Sequence, residues 1–284
     1  MTGRAAGAGN DDEAGGPLAL QHLSREEKAG RSGSFGAVAS DYRRYRPGPP
    51  MAAVDWYLPG PVERVVDLGA GTGALSALLL GRADQVVAVE PDERMRAVLA
   101  AELPQVDARA GAGEHLPLED ESADAVLAST SWHWMDPEPT LREVRRVLRP
   151  GGVLGAMWSG PDPDAPFAAR ARELLGGGSG AAGDAAVGGF MADAQRPIPH
   201  LEIPAGFGFL PPVLEVFRWK MALTADEIVG LIGTMSFVIN LDEQARASLL
   251  ATVRRLLADA LGIEGDAALD IDFRCDAWRA ELDG

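Results

Sequence analysis

The stretch from Val65 to Glu90 constrains this chain more than any other. Arg64-Val-Val-Asp-Leu68 is a short apolar run of strand-forming residues, Gly69-Ala-Gly-Thr-Gly73 is a turn, and Ala74 to about Leu80 has helical spacing. Gln85 to Glu90 then supplies a second strand. Two strands joined through a helix read as a parallel pair with a right-handed crossover. The rhythm continues. Pro91 and Asp92 open a helix to about Leu103, with proline tolerated in the first turn. Val106–Ala110 and Ala123–Ser129 read as strands, Pro137 to Leu148 as a helix stopped at Pro150-Gly151-Gly152, and Val153 to Trp158 as a fifth strand. Strands alternating with helices in this way argue for a parallel sheet with helices on both faces.

After Trp158 the alternation breaks. Pro161 to Leu175 has helical character, and Gly176 to Gly189 is rich enough in glycine to read as a hinge or moving lid. Phe190 to Pro212, with its prolines and aromatics, reads as irregular structure over the sheet edge. Val213–Met221 and Leu269–Cys275 read as strands, and Asp242–Leu261 as a helix. Thr224 to about Met235 is a further helix, with Thr224 as N-cap and Glu227 completing a capping box. At the other end, Met1 to Arg31 carry too few large apolar side chains to offset chain entropy and read as a disordered tail. The expected organisation is a tail over 1–31 and one domain over 32–284, with 161–212 and 224–262 as additions on the substrate side. Phe207, Phe209, Trp219, Met235 and Phe237 are candidates for an apolar pocket there.

Charge and cysteine content remove several function classes. The formal net charge is -16, so the long-range field repels nucleic acid and anionic membrane surfaces. Arg142, Arg145, Arg146 and Arg149 form the densest basic group, but their helical spacing before a Pro-Gly-Gly stop reads as a solvated helix end. One cysteine, Cys275, permits no internal disulfide, and His22, His115, His133 and His200 show no metal-ligand spacing. No metal is expected. With no long apolar run and no signal-like N-terminus, a cytoplasmic protein, monomeric or homodimeric, is the expectation.

Glycines between a strand and a helix bring backbone close to a ligand, since no Cβ stands in the way. Gly69, Gly71 and Gly73, with Ala74 in the last place, also satisfy the dinucleotide pattern G-x-G-x-x-[G/A], so a nicotinamide oxidoreductase is one alternative. Glu90, 17 residues after Gly73, suits the ribose hydroxyls of any adenosine cofactor. Asp67 separates the readings. A carboxylate two residues before the first glycine would repel a pyrophosphate, whereas it can pair with a cationic amino-acid group. The alternative role for Asp67 is to cap the turn.

Val65-Val-Asp-Leu-Gly-Ala-Gly-Thr-Gly73, Val87-Ala-Val-Glu-Pro-Asp92, Gly113-Glu-His-Leu-Pro-Leu118 and Glu143-Val-Arg-Arg-Val-Leu-Arg-Pro-Gly-Gly152 together resemble the class I S-adenosylmethionine-dependent methyltransferases, in the order and spacing of that family. The resemblance implies a Rossmann-like, seven-stranded, mostly parallel sheet with an antiparallel last strand, helices on both faces and a helical lid or insert. It implies S-adenosylmethionine as cofactor and a small-molecule acceptor. By the same resemblance Asp67, Gly69 and Gly71 face the methionine end, Ala70 and Gly73 also bind the cofactor, Glu90 faces the ribose, Pro91 and Met95 the adenine, Ala112, Gly113 and Glu114 the adenine amino group, and Ser129 and Thr130 the sulfonium. Phe35 to Pro47 resembles an element that lies over the cofactor in this family, with Tyr42 over the methionine moiety and Arg46 on its carboxylate; the alternative is that both only dock a helix.

Methyl transfer from a sulfonium needs alignment and exclusion of water more than covalent help. A base is required only when the acceptor must lose a proton. Ser131-Trp-His-Trp134 follows the fourth strand, where an open α/β sheet forms its ligand crevice. His133 is the candidate base or orienting donor, or else a packing residue under the next helix. A cofactor-binding protein without turnover is a further alternative.

Overall fold

The computed structural model describes residues 39–165 and 200–284. The expected tail, Phe35, the remainder of the helix expected to reach Leu175, the glycine hinge over 176–189 and Phe190 lie outside these residues. In chain order the elements are α1 (Ala39–Tyr45), α2 (Met51–Tyr57), β1 (Val62–Leu68), α3 (Ala74–Leu79), β2 (Ala83–Val89), α4 (Glu93–Glu102), β3 (Asp107–Arg109) and β4 (Ala123–Ser129). They continue with a 3-10 turn (Trp132–Trp134), α5 (Pro137–Val147), β5 (Leu148–Pro161), β6 (Val213–Thr224), α6 (Ala225–Gly233), α7 (Ser236–Ile239), α8 (Glu243–Leu261) and β7 (Ala268–Glu281).

The seven strands form one sheet in the order β3-β2-β1-β4-β5-β7-β6. β1 to β5 pair in parallel, and β7 is antiparallel to both neighbours, β5 and β6. The order reverses between β1 and β4, and such a switch point is where open α/β sheets bind ligands. The register Leu68↔Val89 and Asp67↔Leu127 brings the carboxyl ends of β1, β2 and β4 to one edge.

Two apolar layers cover the sheet. On one face Val66, Leu68, Val126 and Leu154 pack with Leu141, Val144 and Val147 of α5; on the other Val65, Leu127 and Met157 pack with α2, α3 and α4. Tyr57 anchors α2: its ring lies so close to Gly155 that a Cβ there would come within 2.5 Å, and its hydroxyl donates to the carbonyls of Ala156 and Trp278. Gly155 in the middle of a strand therefore marks a close approach. A third core joins α6 and α8 to the ends of β6 and β7 through Ile228, Ile232, Leu249, Val253 and Phe273. Thr224 makes the expected capping box with Glu227, and Asp242 caps α8 through the Ala245 amide.

Three expectations change. β5 begins at Leu148 and carries Pro150-Gly-Gly inside it as an irregularity between Ala123↔Leu148 and Ala125↔Val153, and it runs to Pro161, so Pro161 pairs with Phe273 instead of opening a helix. β7 extends six residues beyond Cys275, to Glu281, because β5 and β6 flank it on both sides and satisfy its backbone. Four of the pocket candidates are partly buried and packed against the cores, and the side chain of Phe237 lies outside the described residues. Phe207 and Phe209 pack on the α5 layer, with Phe209 bridged to Leu282 at the opposite end of the sheet from the crevice. Trp219 stacks near Phe273 and Met235 joins the third core. Irregular segments here fill sheet edges, and periodicity does not report which edge.

The arginine group is largely committed to ion pairs. Arg146 binds Glu143 and Asp120 and donates to the carbonyls of Leu116 and Leu118; Arg149 binds Asp124 and Glu63; Arg142 binds Glu138. No helix among the described residues is long and apolar enough to cross a membrane, and no group of three or more potential ligand side chains there could hold a metal.

Candidate active site at the carboxyl edge of the sheet

The glycine turn departs from β1 with Gly69, Gly71 and Gly73 all at positive φ, at 68°, 56° and 86°. The left-handed region costs an L side chain energy, so each position favours glycine. Their surroundings differ. A Cβ on Gly69 would strike Ser131 at 2.6 Å, and one on Gly73 would strike Leu103 and Leu99 of the α4 region at 2.8 and 2.9 Å. A Cβ on Gly71 would meet nothing within 4 Å. Packed side chains therefore fill the space in front of Gly69 and Gly73, whereas Gly71 faces open space. The amides of Gly69 and Ala70 both donate to the carbonyl of Val89, tying the turn to the end of β2.

Two buried carboxylates flank this turn. Asp67, 1% exposed, accepts a 2.6 Å hydrogen bond from the hydroxyl of Ser76 on α3, and burial raises its pKa from 3.8 to about 7 in spite of that bond. Glu90 accepts from the amide of Gly71 at 2.8 Å and from that of Asp92 at 2.9 Å. Burial raises its pKa too, against those two amides. Each carboxylate oxygen has two lone pairs, so Glu90 both fixes the Gly71 peptide and retains acceptor capacity for a ligand hydroxyl.

The remaining candidates surround these two. Pro91 is exposed beside the N-terminus of α4, where Asp92 caps the amides of Arg94 and Met95; Met95 itself is buried. Ala112, Gly113 and Glu114 form a tight turn after β3 that packs against the segment following β4. A Cβ on Gly113 would strike Met135 and Thr140, and Glu114 accepts from the Asp136 amide at 2.7 Å. The carboxylate of Glu114 is thus engaged in holding the two loops together. Ser129 ends β4, and Thr130 follows with φ 54°, a strained value for a β-branched residue, its amide donating to Met157.

Ser131 donates to the carbonyl of Leu68 at 2.6 Å, which fixes the β4 loop to the glycine turn. Trp132 enters the core under α5. His133 is buried, its Nδ1 accepts from the indole N–H of Trp158 at 3.0 Å, and its ring lies 5.0 Å from that of Trp134. Tyr42 and Arg46 belong to a segment that reaches the accessory helices. The Arg46 guanidinium stands 5.4 Å from the Tyr42 ring centroid and donates to the hydroxyl and carbonyl of Thr234 at the end of α6, while the ring of Tyr45 lies on Gly230. α1 also touches α4, so it spans from the Glu90 side of the crevice to α6.

The partners Ser76, Trp158 and Thr234 were not singled out from the sequence, and Ser131 only as the first residue of its motif. Ser76 had a local signal, a hydroxyl on the buried face of α3. Trp158 had none, because it meets His133 only through the β4–β5 register: Ser129 pairs with Met157, so Trp158 stands just past the end of β4 where the loop turns.

These features fit an adenosyl cofactor that carries an amino-acid end: a turn with open space at Gly71, one buried carboxylate on each side, and a hydroxyl, Thr72 Oγ1, buried there with no partner among the described residues. The comparisons agree. Residues 66–156 match the model of a methyltransferase domain. An uncharacterised methyltransferase of Mycobacterium tuberculosis is 36% identical over 249 residues, 88% of this chain and 96% of its own length, and a methyltransferase-like protein of Schizosaccharomyces pombe is 27% identical over 87% of this chain and 95% of its own. Among solved structures, a methyltransferase from Anaeromyxobacter dehalogenans described as putative type II aligns with a TM-score of 0.53 at 25% identity, over 84% of this chain and 99% of that one. From the glycine turn, its two carboxylates, the sheet order and this near-full-length likeness, the chain belongs to the class I S-adenosylmethionine-dependent methyltransferases.

Proposed function

We propose that this methyltransferase transfers the methyl group to a small-molecule acceptor by direct in-line displacement, and that its own residues contribute by positioning and by excluding water. The observation that carries this reading is the placement of Asp67 and Glu90, both buried, on opposite sides of the glycine turn at one edge of the sheet. S-adenosylmethionine supplies an activated methyl group on a sulfonium. Asp67 binds the cationic amino group of its methionine end; Glu90 accepts from the ribose hydroxyls; Gly69, Ala70 and Gly71 present backbone to the ligand; Pro91 and Met95 border the adenine, with Ala112 to Glu114 near its amino group. Ser129 and strained Thr130 stand beneath the reacting centre. Tyr42 and Arg46 lie over the methionine end, where the Arg46–Thr234 bond gives way when the guanidinium takes the carboxylate.

The formal charge of -16 supports a small neutral or cationic acceptor over a nucleic acid. Calorimetry tests the cofactor side: S-adenosylhomocysteine binds and NAD does not. The opposite pattern refutes the reading. For the acceptor, the protein is incubated with methyl-labelled cofactor and a metabolite extract, and mass spectrometry reveals the methylated product. Labelled product only in nucleic acid or protein fractions would refute a small-molecule acceptor.

A further inference from the structure

We propose that Gly230 of α6 is the seat that holds α1 in place, and is thereby a positioning residue for S-adenosylmethionine binding. The docking of α1 on α6 is a feature of the structure; its bearing on the cofactor rests on the proposed place of Tyr42 and Arg46 over the methionine end.

An interior glycine weakens a helix, because it gives up more chain freedom than alanine does. Gly230 stands inside α6, and its φ is not positive, so the backbone there needs no glycine. What excludes a side chain is a neighbour. A Cβ at Gly230 would lie 2.5 Å from Cδ1 of Tyr45 and 2.6 Å from its Cε1 and Cγ. Because Cγ is among these atoms, the ring as a whole would have to shift.

Gly230 belongs to a stripe. Glu227, Gly230 and Thr234 follow at intervals of three and four, which puts them on one face of the helix, and they meet Arg44, Tyr45 and Arg46 in that order. The Glu227 carboxyl, held below its ordinary pKa chiefly by its bonds with Thr224, is lowered further by the charge of Arg44. Tyr45 fills the space over Gly230, with the Arg44 guanidinium 5.1 Å from its ring centroid. Arg46 donates from Nε to Thr234 Oγ1 at 3.1 Å and from Nη2 to the Thr234 carbonyl at 3.3 Å. α6 itself is anchored by Ile228 and Ile232 in the third core. At its other side α1 touches α4, which begins at Glu93, just past Glu90.

The contacts divide the work. Arg46 exchanges Thr234 for the carboxylate when the ligand binds. The Tyr45 contact uses no group that the ligand takes, so it keeps α1 in place through that exchange. A Cβ at Gly230 removes it. If α1 is then docked in only about a tenth of the molecules, apparent affinity falls roughly tenfold, since binding must first restore the competent state.

Two measurements on the full chain test this: amide hydrogen exchange of residues 39–45, and S-adenosylhomocysteine affinity by calorimetry. In Gly230→Ala the exchange should quicken and the affinity fall roughly tenfold. Tyr45→Ala should reproduce both, and the double variant should bind no worse than either single one, because the same contact is lost in all three. Stability separates this from a general loss of structure. Once Tyr45 is replaced, Gly230→Ala only improves a helix, so it should raise the denaturant midpoint of Tyr45→Ala while affinity stays low. Unchanged exchange in folded Gly230→Ala overturns the seat. Quickened exchange with unchanged affinity, or affinity losses that add in the double variant, overturns the positioning role. If Gly230→Ala does not fold, Tyr45→Ala decides alone, since Tyr45 lies outside the three cores; wild-type exchange or wild-type affinity in it overturns the proposal. A wild type that binds no S-adenosylhomocysteine refutes the methyltransferase reading instead, and the exchange result still decides whether Gly230 seats α1.

Discussion

If Asp67 binds the amino group of the cofactor as proposed, its raised pKa makes affinity depend on pH in a definite direction. Its carboxyl is buried beneath the glycine turn, and burial lifts its pKa from 3.8 to about 7. If the ligand's amino group binds only the ionised carboxylate, the protein must release a proton on binding below that pKa. At about pH 5 roughly one molecule in a hundred has Asp67 ionised, so affinity for S-adenosylhomocysteine should be weaker than at pH 8 by up to about a hundredfold, or about 2.7 kcal/mol. Calorimetry in two buffers of different ionisation enthalpy reads both the affinity and the released proton. Asp67→Asn should bind weakly and lose most of the slope; what remains belongs to Glu90, whose pKa is raised in the same direction. An affinity flat from pH 5 to pH 8 in the wild type, with no proton released, refutes the argument. The same group acts on stability with the opposite preference. The unfolded carboxyl ionises near 3.8 and the folded one near 7, so the folded chain holds the extra proton between those values. Its contribution is complete below about 3.8 and is lost as pH rises through about 7, on the order of 4 kcal/mol in all for the cofactor-free protein.

Three further outcomes separate packing from binding. Gly73→Ala should lose on the order of 2–4 kcal/mol of stability in denaturant unfolding, from its positive φ together with the 2.8 Å encounter with Leu103, whereas Gly71→Ala, with open space before it, should lose only about 1 kcal/mol and weaken S-adenosylhomocysteine binding disproportionately. Thr130→Gly relieves a left-handed β-branched residue and should raise stability by about 1 kcal/mol while lowering turnover; a stable variant with unchanged turnover would show that the strain has no bearing on the site. Tyr57→Phe removes the hydroxyl that bonds the carbonyls of Ala156 and Trp278 and should cost about 1–3 kcal/mol in denaturant unfolding without altering cofactor affinity.

The sequence alone determined the parallel half of the sheet, the cofactor and the two carboxylates proposed to bind it. These features are local: a strand, three glycines and a helix follow one another, Glu90 ends the very next strand, and the charge of Asp67 discriminates between ligands without any knowledge of distant contacts. Helix starts were legible for the same reason, as at Thr224 and Asp242, where the cap and the amide it satisfies lie within three residues. The tertiary structure decided what depends on strands far apart in the chain. It placed Phe207 and Phe209 at the end of the sheet away from the crevice, carried β5 through Pro150-Gly-Gly to Pro161, and set Arg46 against Thr234 across 188 residues. It also set the indole N–H of Trp158 against Nδ1 of His133, the candidate base. Backbone pairing brings those two together, and neither residue carries any local trace of the other.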